Sequence, residues 1–219
     1  MRAIAAGYGA FCLTVDSAYY SRRERDITKR AVMRTSADTT AQRYQAALSW
    51  DQIKKFRQRC NLPLIIKGIQ TAEDALIACD HGIDGIYVTN HGGRQLDHGR
   101  GTIDILQDVV AAVRGRAQII VDGGFCRGTD VIKGIALGAD AVSIGRLYLY
   151  GLAAAGQAGV QRVLELLETE IQIGLGLLGI TGFADIDRSC VQPAAPVTTP
   201  HVFSAFPLLE ITEQLRGKY

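Results

Sequence analysis

Short apolar segments alternate with helical segments along most of this 219-residue chain. From residue 61 onward, a unit of one apolar strand and one helix occurs repeatedly, and the strands lack the polar alternation of a half-exposed sheet. Continuously apolar strands indicate a sheet that is buried on both faces, and helices between strands indicate parallel pairing through crossover connections. The sequence therefore predicts an α/β fold, either a barrel or a doubly wound sheet.

The predicted elements divide the chain into one α/β domain over residues 1–192 and a tail over residues 193–219. The predicted strands cover residues 10–16, 62–67, 85–90, 118–122 and 141–145, and the predicted helices cover residues 2–6, 49–58, 71–82, 102–114, 129 onward and 156–174. Residues 17–48 are predicted to form a polar loop that is longer than ordinary connections, which indicates a functional or mobile segment. The proline-containing tail is expected to pack on the surface or to be partly disordered.

Composition argues against several classes of protein. The chain has 24 Lys and Arg residues against 22 Asp and Glu residues, so its formal charge of +2 predicts no nucleic-acid partner. The five cysteines form no Cys-x-x-Cys pair and indicate reduced thiols without a metal site. No apolar window is long enough to span a bilayer. We expect a cytoplasmic protein, with peripheral attachment to the inner membrane face as the alternative.

Polar residues follow each predicted strand. In parallel α/β folds the carboxyl ends of the strands meet at one edge, where active sites are built. Each residue alone has an ordinary explanation, such as a helix cap or a surface lysine, but five strand ends in succession predict a functional site. The residues are Asp16, Lys67, His91 with Arg94, Asp122 with Gly123 and Gly124, and Gly145 with Arg146.

Glycines and arginines after the last two strands predict a phosphate site. Backbone N–H groups, a helix N-terminus and a guanidinium together bind anions, and such a site is typical of the final strands of eight-stranded α/β barrels. Tight turns between strand and helix are the structural alternative. The residues of this predicted cradle are Gly123, Gly124, Arg127 and Gly128, completed by Gly145 and Arg146.

The most specific motif is NHGGRQLD at residues 90–97. It is supported by LTVD at 13–16, RRERD at 22–26, LPLIIKGI at 62–69, DGGFCRGTDV at 122–131 and LGADAVSIGR at 137–146. Together these motifs resemble the FMN-dependent 2-hydroxy acid oxidase and dehydrogenase family, which includes glycolate oxidase and the lactate and mandelate dehydrogenases. The resemblance covers residues 2–192 and implies FMN as cofactor. It also implies a partial TIM (β/α)8 barrel with about five of eight parallel strands, the N-terminal strands being absent upstream of Met1.

The resemblance implies the chemistry of the site. His91 would take the proton of the substrate 2-hydroxyl as general base while the flavin N5 accepts the hydride, which oxidises a small L-2-hydroxy acid to the 2-oxo acid. Asp16 would orient the imidazole and stabilise the imidazolium. Arg23 and Arg94 would bind the substrate carboxylate, because a planar guanidinium matches a carboxylate with two donors.

The resemblance also implies the cofactor-binding residues. Lys67 would lie beside the N1 and O2 edge of the flavin and raise the electron affinity of the ring. Cys126 stands where many relatives carry an arginine, and Arg127 is expected to compensate. The full set is Thr14, Lys67, Thr89, Asp122, Gly123, Gly124, Phe125, Cys126, Arg127, Gly145 and Arg146.

Two functional hypotheses remain open at this point. The first is a working FMN-dependent enzyme, and the second is a catalytically silent barrel fragment that needs an N-terminal partner piece. A relative of dihydroorotate or inosine monophosphate dehydrogenase is a third hypothesis, disfavoured by NHGGRQLD. The electron acceptor is oxygen, a quinone or a cytochrome, and the expected protein partners are a second copy in a homo-oligomer or a complementing N-terminal fragment.

Overall fold

Helices and parallel strands alternate along the chain. The computed structural model describes residues 2–19, 21, 39–96 and 98–195. Its helices are α1 (Arg2–Ala5), α2 (Thr39–Ala46), α3 (Trp50–Arg57), α4 (Ala72–Asp80), α5 (Thr102–Val113), α6 (Gly128–Ala136) and α7 (Arg146–Leu178). Its strands are β1 (Phe11–Thr14), β2 (Leu64–Ile69), β3 (Gly85–Val88), β4 (Gln118–Val121) and β5 (Ala141–Val142). Short 3-10 turns cover His91–Gly93, Phe183–Asp185 and Arg188–Cys190.

The five strands form one sheet in the order β1-β2-β3-β4-β5, and all neighbouring strands are parallel. A doubly wound sheet reverses its strand order at a switch point, whereas a barrel adds each strand beside the previous one. The sequential order therefore selects the barrel arrangement from the two predicted folds. Within the described residues, β1 and β5 each pair with a single strand.

One face of the sheet packs against the helices and forms the core. The strand residues on this face are fully buried, and so are the α5 residues that cover them. The alternate residues on the opposite face are only partly buried. The buried residues include Leu64, Ile66, Ile86, Val88, Val121, Leu106, Val109 and Val113, and the partly buried ones include Ile65, Lys67, Tyr87 and Ile120.

Helix α4 begins where its sequence predicts. The Thr71 side-chain oxygen accepts a hydrogen bond from the backbone N–H of Asp74 at 3.1 Å, which satisfies one free donor of the first turn. Glu73 and Asp74 place negative charge at the positive end of the helix dipole. Local capping therefore fixes the start of α4 independently of tertiary contacts.

Three elements differ from the prediction. The segment 17–48 contains helix α2, and residues 20 and 22–38 of it lie outside the described part, as do residues 97 and 196–219. Strand β5 has only two residues. Helix α7 begins at Arg146, ten residues before the prediction, and Ala155 and Gly156 interrupt its helical backbone. A short apolar run such as residues 147–152 does not reveal its conformation by periodicity, which explains the error.

Helix α7 is therefore two helical segments joined at this break. The segments approach closely, because a Cβ atom on Gly151 would lie 2.8 Å from Cγ2 of Val163. Among the residues that the structure describes, no helix has both the length and the apolar character needed to cross a membrane.

Candidate active site

The carboxyl ends of β1 and β3 bring Asp16 and His91 together. His91 Nδ1 lies 2.6 Å from Asp16 Oδ2. The Asp16 side chain is 6% exposed and the His91 side chain 32%, so the carboxylate is enclosed while the imidazole remains accessible. An ionised carboxylate only accepts hydrogen bonds, so Nδ1 carries the proton and Nε2 is the basic nitrogen.

The backbone of His91 is held in a rare conformation. Its φ is +54°, in the left-handed region that costs a non-glycine residue roughly 1–2 kcal/mol. Two bonds fix this turn: the backbone N–H of His91 donates to Thr89 Oγ1 at 3.1 Å, and that of Gly93 donates to Asn90 Oδ1 at 3.1 Å. Thr89 is itself fully buried. The imidazole is therefore presented by a preorganised loop.

A bulge in β2 makes room for Asp16. The register between β2 and β3 shifts between Lys67 and Ile69, and the intervening Gly68 has a φ of +119°. A Cβ atom on Gly68 would lie 2.7 Å from Cβ of Asp16, far inside van der Waals contact. The position of the Asp16 carboxylate thus depends on a glycine that the sequence interpretation did not single out.

Lys67 lies on the partly buried face of the sheet, in register with Thr14 of β1 and Tyr87 of β3. Its Nζ atom is 5.0 Å from the centroid of the Tyr87 ring, within the range of a cation–π contact. Tyr87 was missed by the sequence interpretation. The sequence feature that could have identified Tyr87 is an aromatic residue in an otherwise aliphatic strand. Its position in the strand places it on the same face of the sheet as Lys67.

Asp122 follows β4 and carries an unsatisfied carboxylate oxygen. Its backbone N–H extends the ladder by donating to Val88 O at 3.1 Å. Its Oδ1 atom is buried and has no hydrogen-bond partner among the described residues. Leaving a buried acceptor without a donor costs about 1–3 kcal/mol, so this oxygen suits a ligand with hydroxyl donors.

Open backbone surrounds the start of α7. A Cβ atom on Gly124 or Gly145 would meet nothing within 4 Å, and no side chain caps the helix at Gly145. Arg146 Nη2 lies 3.1 Å from the Cβ position of Gly92, so its guanidinium reaches the His91 loop. By contrast, a Cβ atom on Gly123 would collide with the side chain of Thr102. An anion at the α7 N-terminus would meet N–H groups and a guanidinium together.

The N-terminus of α6 differs from the predicted phosphate cradle. The Glu170 carboxylate of α7 accepts hydrogen bonds from the backbone N–H of Gly128 at 2.7 Å and from Nε of Arg127 at 2.9 Å. Asp130 Oδ2 accepts the backbone N–H groups of Cys126 and Arg127. Because protein carboxylates already use these donors, a phosphate at Arg127 or at the α6 N-terminus would have to compete with them, and the phosphate role of Arg127 stays a prediction.

The ion pair between Arg127 and Glu170 at the N-terminus of α6 shifts the pKa values of both side chains. The hydrogen bond and charge of Glu170 raise the pKa of Arg127 above its ordinary value. In return, the hydrogen bond from Arg127 lowers the pKa of Glu170, assisted by the backbone N–H of Gly128. The pair therefore joins α6 to α7 as a structural link.

The predicted cofactor residues Phe125 and Cys126 lie between β4 and α6. Phe125 is 6% exposed and lies in the core, where a Cβ atom on Gly134 would meet its ring at 3.0 Å. Burial raises the pKa of the Cys126 thiol, so it stays neutral and does not replace the positive charge of an arginine.

Of the two arginines that were predicted to bind the substrate carboxylate, the structure describes only Arg94. Arg94 follows the His91 loop and is exposed, and its carbonyl oxygen accepts a hydrogen bond from the Ser21 hydroxyl. This bond joins the start of the segment 17–48 to the site. Arg23 lies outside the described residues, so its role stays a prediction.

Comparison with known proteins identifies the family of this chain. The FMN-dependent dehydrogenase family matches over residues 1–193. This chain belongs to that family. It is 42% identical to an L-lactate oxidase of Nostoc sp. over 86% of its length, and 43% identical to a peroxisomal (S)-2-hydroxyacid oxidase of Arabidopsis thaliana over 87%. The chain spans 58% of the length of each of these relatives.

Solved structures of mandelate oxidase resemble this FMN-dependent dehydrogenase family member closely. One, in complex with 3,3-difluoro-2-hydroxy-3-phenylpropionic acid, gives a TM-score of 0.77 at 42% identity, covering 85% of this chain and 56% of the solved one. A second, a mutant with a C4a-OH-FMN adduct, gives a TM-score of 0.75 at 43% identity, covering 84% of this chain and 55% of that chain. These matches confirm the predicted partial barrel.

The site of this family member fits FMN on its own features. The unsatisfied oxygen of Asp122 can accept a ribityl hydroxyl. The open backbone at Gly124 and Gly145, with Arg146 beside it, can accommodate a phosphate. Lys67, on the strand next to the one that leads into the His91 loop, supplies a positive charge that would suit the electron-rich edge of a flavin ring.

Proposed function

We propose that this protein takes part in FMN-dependent oxidation of a small L-2-hydroxy acid to the 2-oxo acid. The observation that carries the proposal is the 2.6 Å contact between His91 Nδ1 and the enclosed Asp16 carboxylate, beside residues that suit a flavin. The relatives in Nostoc sp. and Arabidopsis thaliana are oxidases of lactate and of (S)-2-hydroxy acids by name, which supports the substrate class.

His91 acts as the general base. With Nδ1 bonded to Asp16, Nε2 accepts the proton of the substrate 2-hydroxyl, and the enclosed carboxylate stabilises the imidazolium that forms. Arg94, next to this loop, and Arg23 bind the substrate carboxylate. FMN, when bound, would supply the acceptor for the hydride, which is the C2 hydrogen of the substrate with two electrons.

The cofactor residues divide by the part of FMN that they bind. Lys67, with Thr14 and Thr89 near it, serves the ring, and its positive charge favours the electron-rich reduced form. Asp122 holds the ribityl chain, with the backbone of Gly123 beside it. Gly124, Gly145 and Arg146 hold the phosphate at the α7 N-terminus. Arg127 is left out of this set because Glu170 already binds it.

Oxygen is the proposed electron acceptor, because the relatives are oxidases by name. Oxygen uptake in the presence of substrate tests this assignment. Turnover that needs a quinone or a cytochrome, without oxygen uptake, would replace oxygen by that acceptor while leaving the first half-reaction unchanged.

A second candidate function is a catalytically silent barrel fragment that requires an N-terminal partner piece. Strands β1 and β5 each pair with one strand within the described residues, so both leave backbone donors and acceptors for another strand. Exposed strand edges favour association with further chains. The chain also spans only 58% of its relatives' length.

Flavin binding and flavin reduction separate the two candidates. The chain is expressed alone, mixed with FMN, and titrated without oxygen with lactate, glycolate and mandelate while the flavin spectrum is recorded. A bound spectrum that bleaches with one of these acids supports the enzyme, and His91→Gln should then bind FMN without bleaching. Absence of both binding and bleaching favours the silent fragment.

A further inference from the structure

Tyr87 connects two residues of the proposed FMN site without belonging to the set that the sequence predicted. The register pairs Lys67 with Tyr87, and pairs Tyr87 with Ile120 on the following strand. Directly paired residues of neighbouring parallel strands lie on the same face of the sheet. Tyr87 therefore lies on the same face of the sheet as Lys67, on the strand between β2, which carries Lys67, and β4, which Asp122 follows.

The ring of Tyr87 contacts the Lys67 ammonium. Nζ is 5.0 Å from the ring centroid, and within the described residues Lys67 forms no salt bridge that would compete with this contact. A lysine side chain has several rotatable bonds, so a fixed aromatic face beside the ammonium restricts where the charge can lie.

The hydroxyl of Tyr87 is close to Asp122 and Ser143, which directly follow β4 and β5. The pKa of Tyr87 is raised to about 12, chiefly by burial; a side-chain hydrogen bond with Ser143 acts against this rise, and the charge and hydrogen bonding of Asp122 act with it. The phenol is therefore protonated at neutral pH and able to donate. Asp122, in turn, has one buried oxygen without a partner among the described residues.

We propose that Tyr87 is a positioning residue of the FMN site, whose ring holds the Lys67 ammonium. This inference rests on the proposed FMN-binding function. Tyr87 itself exchanges no proton or electron with substrate. It sets where the positive charge of the proposed flavin site lies, and this effect acts through Lys67.

Two substitutions separate the ring from the hydroxyl. Tyr87→Phe keeps the ring and removes the hydroxyl, whereas Tyr87→Leu removes both. Tyr8→Leu is the matched control, because Tyr8 is 64% exposed and lies before β1, at the opposite end of the sheet from the site. Circular dichroism and thermal unfolding show whether each variant folds, and the near-isosteric Phe variant keeps the test informative if the Leu variant does not.

The first measurement needs no FMN. The ring current of Tyr87 should shift the Lys67 Hε signals in the NMR spectrum of the flavin-free protein, and Tyr87→Phe should retain this shift while Tyr87→Leu abolishes it. The second measurement is FMN affinity, which should weaken roughly threefold to tenfold in Tyr87→Leu and stay unchanged in Tyr8→Leu. The midpoint potential of bound FMN should become more negative in Tyr87→Leu and stay near its original value in Tyr87→Phe.

A double substitution tests whether Tyr87 acts through Lys67. In a Lys67→Met background, adding Tyr87→Leu should leave the flavin potential unchanged. A further decrease of the flavin potential in the Lys67→Met background would overturn this inference alone. So would the absence of a ring-current shift in the unsubstituted chain, or equal FMN affinity and potential in Tyr87→Leu and the unsubstituted chain. Failure of the unsubstituted chain to bind FMN overturns the proposed function and this inference with it.

Discussion

His91 Nδ1 lies 2.6 Å from Oδ2 of Asp16, although the two residues are 75 positions apart in the chain. Strand β2 separates the strands that carry them, so their side chains meet above its carboxyl end. The bulge at Gly68 lies at that end and leaves the space in which Asp16 sits. The proposed general base and its proposed orienting carboxylate therefore depend on three neighbouring strands.

Asp16→Asn should slow flavin reduction by roughly a hundredfold to ten-thousandfold, because an amide no longer stabilises the imidazolium and favours another tautomer. FMN affinity should change little, since the Asp16 carboxylate binds the His91 imidazole. Anaerobic stopped-flow bleaching with the best substrate measures the rate. Asp108→Asn, an exposed carboxylate of α5, is the control, and equal rates in both variants would contradict the assigned role.

Gly68→Ala should disturb Asp16, because the new methyl group would lie 2.7 Å from its Cβ atom and the φ of +119° disfavours alanine. Gly138→Ala is a matched control: its φ is +100°, and its methyl group would lie 2.8 Å from Val110 Cγ1, away from the site. We expect both to lower the free energy of unfolding by roughly 1–3 kcal/mol.

Only Gly68→Ala should also slow flavin reduction and alter its pH profile. Urea unfolding and anaerobic bleaching from pH 5 to pH 9 measure the two effects. A normal rate and pH profile in folded Gly68→Ala would show that Asp16 tolerates the added methyl group.

Arg146→Gln should weaken FMN binding by roughly tenfold to a hundredfold, as expected for loss of a charged hydrogen bond to phosphate. Arg127→Gln should leave FMN affinity nearly unchanged, because Arg127 binds Glu170. Titration with FMN and with riboflavin, which lacks the phosphate, measures the contrast. The preference for FMN should fall only in Arg146→Gln, and the reverse result would restore the phosphate role of Arg127.

Glu170→Gln should lower the free energy of unfolding by about 1 kcal/mol, since Glu170 caps α6 through the backbone N–H of Gly128. Because the pKa of Glu170 is lowered in the folded protein, its contribution is present above the ordinary glutamate pKa and is lost as the pH falls through the lowered value. Thermal unfolding between pH 2 and pH 7 should therefore show a smaller acid-dependent loss in Glu170→Gln.

Glu168→Gln is the control for this prediction. It makes the same charge change in the same helix, at an exposed residue whose carboxylate is bonded only weakly, by Gln172 at 3.5 Å. An identical pH dependence in the two variants would attribute the effect to net charge and not to the α6 cap.

The parallel strands and their polar ends were predictable because both are local properties of the sequence. Apolar runs of strand length, separated by helices, identify β2, β3 and β4, and parallel pairing then gathers their carboxyl ends. Asp16 and His91 were placed together by this logic and by the family resemblance. The 2.6 Å contact agrees with that expectation.

The partner of Arg127 was not predictable because it comes from a distant part of the chain. Glu170 is 43 positions away and reaches the α6 N-terminus only through the packing of α7. A glycine-rich loop before a helix has the same local sequence whether its donors meet a phosphate or a protein carboxylate. Gly68 was missed for the same reason, since the atoms that exclude a side chain there belong to Asp16 on another strand.

The edge position of β1 has a consequence for refolding. Within the described residues β1 is held in the sheet by β2 alone, so β2, β3 and β4 can pair before β1 docks. Contacts between residues far apart in sequence form slowly because the intervening chain must first be ordered. His91 would then sit on a formed loop without its carboxylate, and recovery of flavin reduction should lag behind recovery of the circular dichroism signal.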